Sequence, residues 1–427
     1  MLDLKRIRDQ AEAVKLGIKS RGIDPACVDE VLALDVRRRA LLTEVESFKS
    51  LRNTTSKKIG AMKKGGQDTA ALEKEMRDLG DKIAAFDKEV NGIDESLQQL
   101  LLRIPNVPHV SVPVGPGETG NVTAREWGKR RTFDFKPLTH VELGEKLGIL
   151  DLPRAARMSG AGFPLFLGAG ARLQLALIRF MLDLHVKKHG YTEVWPPVLC
   201  NTAAMTGTGQ LPKLADDMYC LKEDNLYLIP TAEVPVTNIY REEIIEKPLP
   251  IRLTAYSLCF RREAGAAGKV TRGIIRVHQF DKVEMVKFVE PETSYDELES
   301  LVGNAEDVLQ TLGLPYRVRA LCTGDLSFAA AKCYDIELWA PGQDGWLEVS
   351  SCSTFEDFQA RRAGIRYRDK QGKTRFVHTL NGSGVALPRL VVAILENCQQ
   401  ADGSVILPDA IVPYMDGLRQ IAPPGSP

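Results

Sequence analysis

From Val31 onward, apolar residues recur in alternating steps of three and four. Val31, Leu34, Leu41, Val45, Phe48, Ile59 and Met62 keep the rhythm, with Arg38, Arg52 and Thr55 as its polar members. After Gly65 and Gly66 it resumes without a polar exception at Leu72, Met76, Leu79, Ile83, Phe86, Val90, Ile93, Leu97, Leu100 and Ile104. Sustained 3-4 spacing predicts two long helices packed along one seam, and the paired glycines predict the turn between them. Each run of about 33 residues, at ~1.5 Å rise, is ~50 Å long. A two-helix hairpin of that length buries little beyond its own seam, so it is expected to project as an arm. Residues 1–25 carry shorter helical spacing that Pro25 interrupts. Residues 105–117, PNVPHVSVPVGPG, are too rich in proline for a helix or a central strand and read as a linker.

The body begins near residue 120, and its patterning is mixed. Residues 169–189 form an amphipathic helix, with Leu173, Leu177, Phe180, Met181 and Leu184 on one side and Gly190 as its stop. A short strand at 191–195 ends at Pro196 and Pro197. Residues 205–213, MTGTGQLPK, read as a loop. An apolar strand over 226–234 closes on Thr231, Ala232 and Glu233, where Thr231 could equally start the next helix. Residues 294–312 are helical, with Leu298, Leu301, Val302 and Leu309 inward. Residues 334–339 and 346–353 alternate as strands. Residues 378–394, HTLNGSGVALPRLVVAI, read as a polar glycine turn before an apolar helix.

The central stretch is CFRREAGAAGKVTRGIIRVHQFDKVEMVK, from Cys259. A strand ends at Phe260, residues 263–273 form a charged glycine loop, and a second strand returns over 274–289. The inner face of this hairpin would present Arg261, Glu263, Arg276, Gln279, Phe280 and Glu284. Arg and Glu are rarely buried unless paired or bound. An arginine fork at a strand end suits phosphate oxygens, and Phe280 could stack on a base. The same residues would also make an exposed hairpin laced with surface ion pairs. Arg389, inside an apolar helix, likewise needs a protein or ligand partner.

Composition narrows the class. The 427 residues suffice for two or more domains, and 44% hydrophobic with 26% charged residues is ordinary for a soluble globular chain. Net charge is zero, so any nucleic-acid site must be a local patch. One such patch exists. Lys49, Arg52, Lys57, Lys58, Lys63 and Lys64 occupy residues 49–64 with no acidic residue among them. They make either a solvated coiled-coil face or a contact for RNA phosphates. No stretch approaches the length of a membrane span, and residues 1–10 have no apolar signal core. The eight cysteines are scattered with no CxxC, which fits a reducing cytoplasm.

The wording FRREAGAAGKVTRGIIRVHQF, followed by DKVEM, resembles motif 2 of class II aminoacyl-tRNA synthetases in the form found in seryl-tRNA synthetases of bacterial type. The helix, strand and Pro197 resemble motif 1, and the segment around Arg389 resembles motif 3. The resemblance runs from the arm to about Met415. It implies an α+β fold: a class II antiparallel sheet with flanking helices, plus an N-terminal antiparallel coiled-coil arm. The domains would be 1–104 for tRNA binding, 105–119 as linker, 120–415 for catalysis and 416–427 as a flexible tail. It implies activation of L-serine by ATP, then transfer to tRNA(Ser), with tRNA(Sec) as a further substrate, by a cytoplasmic homodimer formed through motif 1.

Residue roles follow from the same resemblance. Arg261, Arg389 and Glu348 would be catalytic. Arg261, Arg262, Glu263, Val277, Phe280, Glu348, Val349, Ser350, Ser351 and Arg389 would bind ATP, with Phe280 and Arg389 about the adenine ring. Glu348 and Ser351 would hold Mg2+. Thr231, Ala232, Glu233, Arg261, Glu284, Asn381 and Ser383 would form the serine pocket. The basic run would grip the tRNA. Two rival readings stay distinct: a non-catalytic RNA-binding protein, which should lack Arg261, Glu348 or Arg389, and a ligase that loads a carrier protein, which should lack the basic arm.

Overall fold

The computed structural model describes residues 1–264 and 272–425, so most of the glycine loop expected at 263–273 lies outside the described residues. The chain divides into two compact units. The first holds Leu2–Lys19 and Ile23–Pro105; the second holds chiefly Ser20–Gly22 and Asn106–Pro427.

In the first unit, two short helices, α1 (Leu4–Asp9) and α2 (Ala11–Ser20), precede the long pair α3 (Ala26–Lys64) and α4 (Ala70–Leu101). The two long helices run antiparallel. Arg37 pairs with Glu89, Lys49 with Asp87 at 3.0 Å and Lys63 with Glu73 at 2.6 Å, so rising numbers on one meet falling numbers on the other. The expected seam is present: Val31, Val45, Leu79, Ile83, Val90, Ile93 and Leu97 are buried, and the Phe48 and Phe86 rings lie 5.7 Å apart. Arg38, polar on the seam, pairs with Asp94. Gly66, at φ +72°, supplies the left-handed residue that the turn requires.

The second unit is built on one eight-stranded sheet. Its strands are β1 (Val122–Trp127), β2 (Thr192–Glu193), β3 (Ile251–Phe260), β4 (Gln279–Val289), β5 (Tyr316–Ala320), β6 (Lys332–Ala340), β7 (Gly345–Thr354) and β8 (His378–Ala386). Their order is β1-β5-β6-β7-β8-β4-β3-β2, antiparallel except for the short β2–β3 edge. Helices α5 (His140–Lys146) and α6 (Leu152–Ser159) lead to α7 (Ala169–Lys187). A capping box between Thr139 and Glu142 starts α5. Helices α8 (Thr202–Thr208), α9 (Glu233–Thr237), α10 (Ser294–Thr311), α11 (Phe358–Ala363) and α12 (Leu387–Cys398) complete the unit. The apolar faces of α7, α10 and α12 meet the sheet in one core that includes Leu173, Met181, Leu301, Val302, Val391 and Ile394.

Four local expectations are corrected. Residues 205–213 are not wholly loop. Asn201 caps α8 by accepting from the Ala204 N–H at 2.9 Å, and Gly209 at φ +93° ends it. The returning strand begins at Gln279, not Ile274, because residues 272–277 turn before the ladder starts. The polar glycine segment before α12 is the strand β8 and not a turn. Its Asn, Ser and Gly residues are compatible with a strand because the ladder satisfies their backbone. The tail expected past Met415 to be flexible pairs Gln420–Ile421 with Val405–Ile406 and buries Ile421.

Candidate active site

A cavity of about 580 Å³ opens on the sheet in the second unit. Two bulges shape it. Between β6 and β7 the register skips Val349, and between β4 and β8 it skips Gly384. Strict alternation would put Glu348 and Ser351, three residues apart, on opposite faces. The extra residue turns both toward the cavity, which both line. The pairing of β7 with β8 stops at Cys352–Gly382, so the two strands diverge where Ser350, Ser351 and Ser383 line the space. The Ser350 hydroxyl spans the divergence, donating to the Ser383 carbonyl at 2.7 Å.

One end of the cavity is a buried polar network. Glu284, 1% exposed, accepts from the Thr231 hydroxyl at 3.0 Å and the Asn381 amide at 2.9 Å. Lys282 reaches Glu284 at 2.5 Å and donates to the Thr231 oxygen at 2.9 Å. Thr231 also accepts from the Glu233 backbone N–H at 3.2 Å, just ahead of α9, whose cap position is Ala232. Glu233 accepts from Gln359 at 2.7 Å. Burial, and then the nearby Glu284 charge, push its carboxyl up to about 7.

The other end carries more arginine. The Arg261 guanidinium lies 5.2 Å from the centre of the Phe280 ring and donates to the Pro230 carbonyl at 3.4 Å. Arg389 donates to the carbonyls of Ile275 at 3.1 Å and Glu348 at 2.6 Å. Glu263, at φ +52°, pairs with Arg276. The Glu348 side chain is 49% exposed. On the neighbouring strand, Asp335 stands opposite Ser351, and burial followed by the Glu348 charge holds its carboxyl well above the usual range.

Thirteen of the sixteen residues that the resemblance assigns to serine or ATP line this cavity: Thr231, Glu233, Arg261, Glu263, Val277, Phe280, Glu348, Val349, Ser350, Ser351, Asn381, Ser383 and Arg389. Glu284 does not line it but is hydrogen-bonded to Thr231 and Asn381, which do. Two do not arrive. Ala232 packs into a separate core with Val236 and Ile245, and Arg262 donates its backbone N–H to Asp217. Lys282 and Gln359 were missed. Lys282 lies two residues before Glu284 on the same strand face, and that spacing was the available signal. Of the basic arm residues, Lys49 and Lys63 are spent on ion pairs, while Arg52, Lys57, Lys58 and Lys64 are exposed.

Residues 1–108 match the model of the seryl-tRNA synthetase N-terminal domain, and 219–398 match that of the tRNA synthetase class II core domain (G, H, P, S and T). Over 99% of its length, and 100% of the relative's, the chain is 55% identical to a serine–tRNA ligase of Geobacter sulfurreducens. The chain belongs to the seryl-tRNA synthetase family. It is therefore a ligase that joins serine to tRNA, as the motifs implied. A serine–tRNA ligase of Carboxydothermus hydrogenoformans is 57% identical, with 97% of this chain and 98% of the relative covered. Among solved structures, the seryl-tRNA synthetase of Pyrococcus horikoshii complexed with ATP superposes with a TM-score of 0.95 at 41% identity, covering 99% and 100% of the two chains. Among the described residues no helix is long and apolar enough to cross a membrane.

Proposed function

We propose that the two ends of the cavity divide the substrates, with serine at the buried network and ATP at the arginine-rich end. The observation that carries this reading is the closed set Thr231, Lys282, Glu284 and Asn381. Its four side chains are all polar and hold one another in place, with donor and acceptor capacity left over. Such a set can bind an ammonium and a hydroxyl while rejecting analogues that lack the hydroxyl, since those would strand buried polar groups. Arg261, at the arginine-rich end, donates to the Pro230 carbonyl beside Thr231, so one guanidinium can bind the serine carboxylate and the α-phosphate together. Phe280 and Arg389 offer flat faces to adenine.

The chemistry needs no protein nucleophile. The serine carboxylate attacks the α-phosphorus, the α–β bridging bond breaks, and pyrophosphate leaves with the electron pair. Positioning and charge neutralisation supply the acceleration. The terminal ribose hydroxyl of tRNA then attacks the seryl carbonyl, and AMP departs.

Mg2+ suits Glu348 and Ser351, a carboxylate and a hydroxyl on one face, because hard oxygen donors with few protein ligands are what this ion takes beside phosphates. Bound there, it would neutralise phosphate charge. The described residues hold no cluster of three or more His, Cys, Asp or Glu side chains that could hold a metal ion, so phosphate oxygens would complete the shell.

The exposed Arg52, Lys57, Lys58 and Lys64 support tRNA(Ser) binding by the arm, and charging of tRNA(Sec) extends the same reading. Leu175 on α7 and Trp195 after β2, 68% and 80% exposed, support a homodimer through this face. Eight free cysteines suit the cytoplasm. The test is Glu284→Ala. Serine-dependent ATP–pyrophosphate exchange should disappear in a folded variant, and normal exchange would remove the serine assignment.

A further inference from the structure

Residues 326–331 form one wall of the cavity, which Ser327, Phe328 and Ala329 line. Every carbonyl of this wall is held from outside it. Arg21 Nη2 donates to Leu326 at 2.9 Å and Ser327 at 2.6 Å, and Nη1 donates to Ala330 at 3.1 Å. The Asn106 backbone N–H takes the Phe328 carbonyl at 3.0 Å, and its amide takes Ala329 at 3.0 Å. The His109 N–H takes Ala331 at 2.9 Å. Residues 20–22 belong to the same compact unit as the wall.

Arg21 is the unusual member. Among the described residues its guanidinium meets only carbonyl oxygens: those three and that of Asn106 at 3.2 Å. Burial lowers its proton affinity to about 10, so it stays charged at neutral pH. A planar cation with donors on two nitrogens fixes the spacing of the carbonyls it bridges, which a point charge cannot do. The wall needs such a fixture. Its last residues are Ala329, Ala330 and Ala331, which have no side-chain polar group to tether themselves.

The wall faces the serine end. A Cβ placed on Gly209 would lie 3.4 Å from the Ala329 side chain and 3.7 Å from that of Phe328. The adjacent Thr208 carbonyl accepts from Gln359, the residue that holds Glu233. A shift of the wall would therefore reach the Gly209 turn and the carboxylate behind it.

We propose that Arg21 is a positioning residue for serine activation, a guanidinium clamp that sets the wall at the serine end of the cavity without touching substrate. This rests on the placement of serine beside Glu284. Replacing Arg21 should act on serine and spare ATP.

The experiment measures serine-dependent ATP–pyrophosphate exchange for Arg21→Ala and Arg21→Lys in the full-length enzyme, with circular dichroism as the check on folding. For Arg21→Ala the serine KM should rise about tenfold, while the ATP KM and kcat stay within about twofold. Arg21→Lys should fall between, and added guanidine should restore part of the loss in Arg21→Ala. Unchanged serine KM in a folded variant overturns the proposal. So does a uniform fall in kcat and both affinities without guanidine rescue, which marks general destabilisation. If neither Arg21 variant folds, Asn106→Asp removes the amide donor to the same wall while keeping the acceptor for Val107. A selective rise in serine KM there supports the clamp, and its absence refutes it. If Glu284→Ala retains exchange, the serine assignment fails; if Glu284→Ala abolishes exchange while Arg21→Ala leaves the serine KM unchanged, the clamp alone fails.

Discussion

Gln359 Nε2 donates to Glu233 at 2.7 Å while its own oxygen accepts from Thr379 at 2.7 Å, so its amide is locked with the donor toward the carboxylate. That orientation favours the ionised form of Glu233. Burial and Glu284 oppose it, whereas Lys282 and Arg261 also favour it, and the balance leaves the group titrating near 7.

Glu233 should therefore cost stability as pH rises. Below the usual value of 4.5 both folded and unfolded chains hold the proton, and nothing is lost. Between 4.5 and about 7 the folded state binds more protons, so stability falls with pH; above about 7 the loss is complete. Glu233→Gln should match wild type at pH 4 and be more stable at pH 8, by at most ~3 kcal/mol, in urea titrations. Serine activation should be weak in the variant. In wild type the serine KM should worsen as pH falls below 7.

Arg261→Lys is not a conservative change. A single ammonium cannot bridge carboxylate and phosphate or keep its plane over Phe280. Exchange should fall at least tenfold, about 1.4 kcal/mol of transition-state stabilisation. Near-normal turnover would show that Arg261 serves only the hairpin.

Gly384 is required by a neighbour rather than by its own backbone. An added Cβ would stand 2.3 Å from His185 Nε2, on a ring that is fully buried and whose pKa burial pushes down to about 4. Gly384→Ala should destabilise the enzyme by about 1–3 kcal/mol in urea titrations, as overpacking does. Gly384→Ala combined with His185→Ala should recover part of that loss. Additive losses would show that the two residues do not compete for space.

The arm should be separable from the chemistry. With residues 33–102 replaced by a short Gly-Ser link, serine-dependent exchange should survive while charging of serine tRNA collapses. In the intact enzyme, charging should weaken steeply with salt if exposed Arg52, Lys57, Lys58 and Lys64 meet tRNA phosphates as proposed. Exchange lost with charging in a folded deletion would place the arm in the catalytic core.

The arm and the main helices were legible because a seam repeated over many turns leaves a long apolar period, as from Leu72 to Ile104. The cavity was legible as wording more than as pattern. A strand that faces polar ligands shows polar residues on its inward side, so HTLNGSGVA read as a turn although it is β8. The bulges at Val349 and Gly384 have no local signature, and without them Glu348 and Ser351 do not share a face. Lys282 was overlooked for a related reason: a lysine in a strand is usually solvent-facing, although its spacing from Glu284 puts it on the same face.

The short pairing between β7 and β8 has a mechanical meaning. It comprises three residue pairs, Cys352–Gly382, Ser353–Asn381 and Thr354–Leu380, and it falls midway in the strand order. The sheet is thus two four-stranded plates joined by a narrow hinge, braced from behind where Leu301 of α10 packs close to Gly382. Glu348 and Ser351 ride on one plate, Glu284 and Arg261 on the other. Any flexing at the hinge would change the distance from Glu348 and Ser351 to Glu284 and Arg261 while leaving each plate's own bonds intact.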